Sequence, residues 1–236
     1  MAQPTSPTLG DWLCQSLRFK RLQAAAYVRN RATSADSGNA NAQLEEYNDI
    51  RDFRKRPAPT GEEDNVGRKR IFVIHKHDAS QLHYDFRLRI GDVLASWAVP
   101  KGLSTEANDK RLAIRVEDHP LDYADFEGVI PEGEYGAGTV MVWDQGTYAP
   151  ILDEDEKSME DAREGGSLKF ELHGKKLKGG FAMARTGKRD GKEQWVIFKL
   201  DDEHADARRK PTSTEPNSVK TGRSLEEIEA EEGKDA

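Results

Sequence analysis

Leu82-His83-Tyr84-Asp85-Phe86-Arg87-Leu88 is the part of this chain whose residue types and spacing point most directly to chemistry. In a β-strand, alternate side chains leave opposite faces. A strand here puts His83, Asp85 and Arg87 on one face and Leu82, Tyr84, Phe86 and Leu88 on the other. Just upstream, Ile71-Phe72-Val73-Ile74-His75-Lys76-His77 also reads as a strand and puts His75 and His77 on one side. Two imidazoles and a carboxylate, from His77, His83 and Asp85, are a mixed nitrogen and oxygen donor set. Such a set suits manganese, iron, cobalt or zinc better than calcium, and three protein ligands leave coordination positions open for water or a substrate oxygen. His75 is open to three roles: a fourth ligand, a support for the ligands, or a phosphate donor. Arg87 extends the row with a planar fork that matches phosphate.

Other candidates lie further along. Lys101 follows Trp97-Ala98-Val99-Pro100 at a strand end, and Arg111 opens the next strand. Cations at strand ends around a barrel mouth can converge on one anion. In Glu117-Asp118-His119-Pro120-Leu121-Asp122-Tyr123 the proline fixes a turn after His119 and sets Tyr123 one turn beyond. His119 is suited to donate a proton to a leaving oxygen or to hydrogen-bond a phosphoryl oxygen in the transition state. The glycine-rich run from Glu127 to Gly138 has no helix pattern after it, so it reads as a tight double turn feeding a strand.

These residues must be held by short strands. The pattern predicts strands at 70–76, 82–90, 93–99, 111–117, 138–144, 167–173, 179–185 and 193–200. Turn residues separate them, at Gly91-Asp92, Asp144-Gln145-Gly146, Gly165-Gly166 and Lys188-Arg189-Asp190-Gly191. Many short strands at close spacing favour an antiparallel barrel or sandwich over a parallel sheet. A helix is expected at about 153–164, capped by Asp153.

The chain has 236 residues, with 36 Lys+Arg against 43 Asp+Glu and a net charge of −7. That balance excludes a surface coated in positive charge and leaves nucleic-acid contact to a local basic cleft. One cysteine, Cys14, excludes an internal disulfide framework and fits a reducing compartment. No apolar run approaches the roughly 20 residues that span a bilayer. Three regions are expected: residues 1–45 as a basic amphipathic extension and linker, 46–200 as the folded domain, and 201–236 as an acidic, polar tail that is disordered or weakly helical. The segment from Leu9 to Ala32 has the composition of an organelle transit peptide or of a plain helical extension, and 33–43 reads as a linker.

With those blocks in view, the chain from about Tyr47 to Leu200 resembles the 3′-phosphoesterase domain of bacterial DNA ligase D, which also occurs as a stand-alone protein. The matching blocks include Arg51-Asp52-Phe53, His77 with Leu82 to Leu88, Ser96 to Gly102, Lys110 to Tyr123 and Phe126 to Gly138. Further blocks are Lys169 to Gly180 and Gln194 to Lys199. The resemblance implies a mainly β fold: a closed antiparallel β-barrel of about eight strands, with minor peripheral helices, flexible tails and a metal site in a groove. It implies removal of a 3′ phosphate or a 3′-terminal ribonucleotide from DNA or RNA ends, leaving a 3′ hydroxyl for repair and ligation.

Position by position, His77, His83 and Asp85 correspond to metal ligands. Arg87, Lys101, Arg111, His119 and Tyr123 correspond to groups around the phosphate. Arg51, Asp52 and Glu117 occupy supporting positions. The implied metal is Mn2+, with Co2+ or Zn2+ as alternatives. The implied partners are nucleic-acid 3′ ends on primer-template or RNA-terminated DNA, with a ligase or polymerase acting in trans and no membrane. The expected location is intracellular and cytoplasmic, with organelle targeting left open.

Two departures mark this sequence: His75 stands where family members carry glutamine, and Ala58 stands where they carry an acid. Both bear on the balance between nuclease and phosphatase activity. Two competing readings are an iron oxygenase using His83, Asp85 and His119, and a barrel that binds nucleic-acid ends without cleaving them.

Overall fold

The computed structural model describes residues 44–49, 69–156 and 158–233, which belong to one unit spanning Asn39–Ala236. The expected extension at 9–32, the linker at 33–43, Arg51, Asp52 and Ala58 lie outside the described residues. In chain order the elements are α1 (Glu45–Asp49), β1 (Ile71–Asp78), β2 (Leu82–Ile90), β3 (Val93–Val99), β4 (Arg111–Arg115), a 3-10 helix (Leu121–Asp125), β5 (Gly128–Ile130) and β6 (Gly138–Pro150). They continue with α2 (Met159–Gly165), β7 (Ser167–Gly174), β8 (Lys178–Arg189), β9 (Lys192–Lys199), α3 (Pro211–Thr214) and α4 (Leu225–Glu232).

The strands run in the order β1-β2-β3-β4-β9-β8-β7-β6, and β6 returns to pair with β1. Eight antiparallel strands thus close a barrel, as expected, and closure leaves the eight-strand ring without an edge. The short β5 adds a pairing on β6.

Alternation decides the two faces. Phe72, Ile74, Tyr84, Phe86, Leu88, Trp97, Ala113, Trp143, Phe170, Phe181 and Trp195 come from all eight ring strands and meet in one buried cluster, the barrel lumen. The opposite wall of β1, β3 and β6 presents Val73, Leu94, Val140 and Val142. These pack under Leu44 and Tyr47 of the N-terminal segment and Leu121 and Tyr123 of the 3-10 helix. That outer layer buries the face on which His75, His77, Asp85 and Arg87 stand.

Several boundaries differ from expectation. β6 runs through Asp144-Gln145-Gly146 to Pro150 instead of turning there. Asp144 is buried, and its carboxylate accepts the backbone N–H groups of Gln145, Lys175, Lys176 and Leu177, so this polar residue clamps a neighbouring turn. A side chain at Gly146 would run into the backbone of His173, which explains a glycine within a strand. The helix after β6 starts at Met159, not 153. Ser158 caps it by accepting from Asp161 N–H at 3.1 Å, while Asp153 pairs with Lys169 at 2.8 Å. The β8–β9 hairpin turns on Asp190 and Gly191, both at positive φ, as a two-residue turn requires.

The segment after Asp201, expected as a disordered or weakly helical tail, is helical in part and packed on the domain. It carries α3 and α4, and α4 buries Leu225 and Ile228 in the lumen cluster. Its apolar residues are few, so polar groups hold it. The Glu127 carboxylate accepts from Ser218 Oγ at 2.6 Å, Arg223 Nη2 at 3.1 Å, Val142 N–H at 3.1 Å and the Thr221 hydroxyl. Trp143 Nε1 donates to the Glu215 carbonyl at 2.8 Å. Ser224 and Glu227 form a reciprocal capping box at the start of α4. Replacing Ile228 by Ala is expected to cost about 2–4 kcal/mol, the range for a buried aliphatic truncation. Chemical denaturation checks this, and a change under 0.5 kcal/mol (about the size of a surface substitution) would refute the packing.

Candidate functional site

Strand register assembles the site. In the β1–β2 ladder His77 faces His83, His75 faces Asp85 and Val73 faces Arg87. Direct cross-strand neighbours have Cβ atoms within about 5.5 Å, so this pairing alone brings the imidazoles and the carboxylate together. In the β2–β3 ladder Arg87 faces Ser96. Beyond β4 the chain returns to β3, where His119 and Leu94 exchange backbone hydrogen bonds of 2.8 and 3.0 Å. That places His119 beside Ser96 and Arg87. Pro120, extended at φ −65° and ψ 154°, then starts the 3-10 helix that buries Tyr123.

The donor atoms of His77, His83 and Asp85 all lie within 4.8 Å of one another. His77 Nδ1 is 3.6 Å from Asp85 Oδ2, and His83 Nε2 is 3.6 Å from Asp85 Oδ1. The far ring nitrogens are tied to carbonyls: His77 Nε2 donates to Gly136 O at 3.1 Å and His83 Nδ1 to Gln81 O at 2.9 Å. A carbonyl only accepts, so each neutral ring carries its proton on the far side and turns a lone pair toward Asp85. Metal-bound histidines are oriented in this way. The trio therefore fits a divalent transition metal, by donor chemistry and by tautomer.

Arg87 is the hub of the second half. It is buried, and its Nη2 donates to Asp85 Oδ2 at 3.0 Å and its Nε to His75 Nδ1 at 3.2 Å. Its Nη1 lies 3.0 Å from His119 Nδ1, and its guanidinium carbon is 5.2 Å from the centre of the Tyr123 ring. Burial pushes the Asp85 carboxyl up, but the charge of the adjoining Arg87 guanidinium, the largest of the opposing interactions, pulls it down. The group is held well below the usual carboxylate range. Burial, with the Arg87 charge, pushes the His75 imidazole well below its ordinary value, so His75 is a neutral acceptor for Arg87.

His119 Nδ1 also lies 3.0 Å from the Glu117 carbonyl and 3.4 Å from Ser96 Oγ. It cannot donate to that carbonyl and accept from Arg87 at once, so the ring's tautomer selects one partner. On the other side of the ring, Nε2 is 3.9 Å from Glu117 Oε1. Tyr47 packs edge-on to His119 at 4.9 Å between centroids, and Tyr123 is 4.8 Å away.

Of the residues expected from sequence, His75, His77, His83, Asp85, Arg87, Glu117, His119 and Tyr123 form one connected group. Lys101 does not enter it. It is exposed in the turn beyond β3, past the Tyr84–Val99 pair that ends the β2–β3 register. Arg111 hydrogen-bonds Asp109 at 2.6 Å and shares the strand face of Ala113, which lines the lumen, so it stands at the barrel's end and not on the face of the histidines. Register brings both cations to the sheet end where His83 lies, not into contact with the histidines. Gly102 holds the Lys101 turn at φ +67°, where a Cβ would meet Tyr84 and Thr212 at 2.9 and 2.7 Å.

Sequence reasoning missed Tyr47, Ser96 and Tyr135 as neighbours of the site. Only Ser96 was legible, as the outward residue opposite Arg87. Among the described residues no helix is long and apolar enough to cross a membrane.

Residues 75–185 match the model of the DNA Ligase D 3′-phosphoesterase domain. The chain is similar to the Multifunctional non-homologous end joining protein LigD of Pseudomonas aeruginosa, at 49% identity over 168 residues, which is 69% of this chain and 19% of that protein. It is similar to the Multifunctional non-homologous end joining DNA repair protein LigD of Mycobacterium tuberculosis, at 42% identity over 183 residues, 77% of this chain and 21% of that protein. A third relative, from Mycolicibacterium smegmatis, is 39% identical over 164 residues, 68% of this chain and 21% of that protein. The chain thus spans about a fifth of the length of the curated relatives it matches. The barrel that carries the histidine, aspartate and arginine cluster belongs to the DNA Ligase D 3′-phosphoesterase domain family.

Proposed function

We propose that this chain is a metal-dependent phosphoesterase that heals nucleic-acid 3′ ends, releasing a 3′ phosphate or a terminal ribonucleotide to leave a 3′ hydroxyl. The carrying observation is the convergence of His77 Nδ1, His83 Nε2 and an Asp85 oxygen beside the buried Arg87–His119 pair. A divalent ion held by His77, His83 and Asp85, with manganese the proposed native metal, would supply Lewis-acid polarisation of a phosphoryl oxygen.

The chain's own residues do the rest. Asp85 and Arg87 neutralise each other, so the anionic substrate meets a site that is not dominated by the carboxylate. Arg87 keeps two further N–H donors beyond its protein partners for phosphoryl oxygens. His119 Nε2, beside Glu117, is the atom placed to hold or move a proton at the leaving oxygen. Lys101 and Arg111 are proposed to engage the incoming strand, and Arg51 and Asp52 to support one or both activities. A ligase or polymerase acting in trans would use the resulting 3′ hydroxyl.

The oxygenase alternative needs His119 to join His83 and Asp85 as a ligand, but His119 lies across the Arg87 guanidinium from Asp85. The deciding experiment is incubation with a primer-template ending in one ribonucleotide, and with its 3′-phosphorylated counterpart, under anaerobic conditions with Mn2+, Co2+, Zn2+ or Mg2+. Release of nucleoside or phosphate with a transition metal is expected. Tight binding of ends with no product under any cation would leave an end-binding module instead.

A further inference from the structure

The glycine-rich loop between β5 and β6 is placed against both halves of the site, and one of its side chains has no assigned role. Glu134 N–H donates to Pro131 O at 3.2 Å and Ala137 N–H to Glu134 O at 3.1 Å, giving two successive turns. Gly138, at φ +133°, lies so close to the Asp78 carbonyl that no side chain fits, which locks the loop to the β1–β2 hairpin. Tyr135 sits at the tip, 45% exposed despite its size. Its hydroxyl donates to Glu117 Oε2 at 3.4 Å, and the next residue's carbonyl receives the His77 Nε2 proton at 3.1 Å.

These contacts close a circuit from Tyr135 through Glu117, His119, Arg87, Asp85 and His77 to Gly136, which adjoins Tyr135. Every other side chain in the circuit is buried and polar or charged. Tyr135 alone offers an exposed aromatic surface there, and it is anchored at both ends.

We propose that the Tyr135 ring is the stacking platform for the terminal nucleoside whose 3′ phosphate enters the circuit. This rests on the phosphoesterase reading above and adds the position of the nucleoside to it. A site that processes ends of any sequence cannot depend on base edges, whereas every base has a π-face to stack. Holding the ring beforehand reduces the ordering cost of binding.

The test compares 3′-phosphorylated oligonucleotides that end in a normal nucleotide or in an abasic sugar, using the full chain with Mn2+. Compared with Y135F, which lacks the same hydroxyl, Y135A is expected to raise KM for the normal end by about 10- to 100-fold, the range for loss of one stacked base. The abasic end should show little difference between Y135A and Y135F, and Y135F and Y135W should keep wild-type discrimination between the two ends. Y135L, which keeps bulk without the π-face, should behave as Y135A and guards against a folding defect.

Quenching of a terminal 2-aminopurine on binding to wild type, lost in Y135L, reads the contact without turnover. If wild type quenches through Tyr135 but releases no phosphate, the platform stands and the phosphoesterase reading falls. Equal losses on both substrates, a Y135F variant as poor as Y135A, or no quenching by an active wild type would each overturn the platform.

Discussion

Asp85→Asn is expected to reduce 3′-phosphate release by roughly 10³-fold, the scale of several kcal/mol of Lewis-acid stabilisation, and to weaken Mn2+ binding measured by calorimetry. The amide keeps an oxygen for Arg87 but loses the charge that a divalent cation needs. Asp85→Ala goes further. It leaves the Arg87 guanidinium buried without its carboxylate, a change that typically costs about 3–5 kcal/mol, so its melting temperature should fall well below that of the Asn variant.

The pH dependence has a definite sign. The folded Asp85 carboxyl titrates well below the ordinary range. Its contribution to stability is therefore present above the unfolded value of about 4 and is lost as pH falls through the folded value. Wild type and Asp85→Asn should differ most in melting near neutrality and converge in strong acid. Wild-type turnover in Asp85→Asn would remove His77, His83 and Asp85 as the metal centre.

Arg87→Lys should lower kcat by about 10²–10³-fold, the effect of removing one preorganised donor to a developing charge, although the net charge is unchanged. The guanidinium reaches Asp85, His75 and His119 with three different nitrogens in one plane. An ammonium has a single nitrogen and cannot span three partners that diverge in this way. Because Asp85 keeps a cationic neighbour, Mn2+ affinity should fall far less than turnover does. That split separates Arg87 from the ligands. A Lys variant within threefold of wild-type kcat would mean that charge alone, not the fork, is what the site requires.

The local features were legible. Alternation in Leu82–Ile90 and Ile71–Asp78 assigned the faces of His75, His77, His83, Asp85 and Arg87, because strand period is a property of the backbone. The His-Pro break after His119 marked its turn for the same kind of reason. Closely spaced strands with Gly and Asp turns indicated an antiparallel barrel or sandwich. The resemblance to a known domain narrowed that to the eight-stranded ring.

What the sequence could not determine is what lies over that face and how far each cation reaches. Burial of His75, Asp85 and Arg87 comes from Leu44, Tyr47, Leu121 and Tyr123, which are distant in sequence from the strands they cover. The same limit explains the misread C-terminal segment. A count of apolar residues cannot see that Glu127 supplies acceptors for Ser218, Thr221 and Arg223. It also explains why Lys101 and Arg111 look equivalent to Arg87 in one dimension, although only Arg87 is locked among the histidines. Strand periodicity is local and survives in the sequence. Layering, register between distant strands and the pairing of buried charges are set by packing, and only the folded chain decides them.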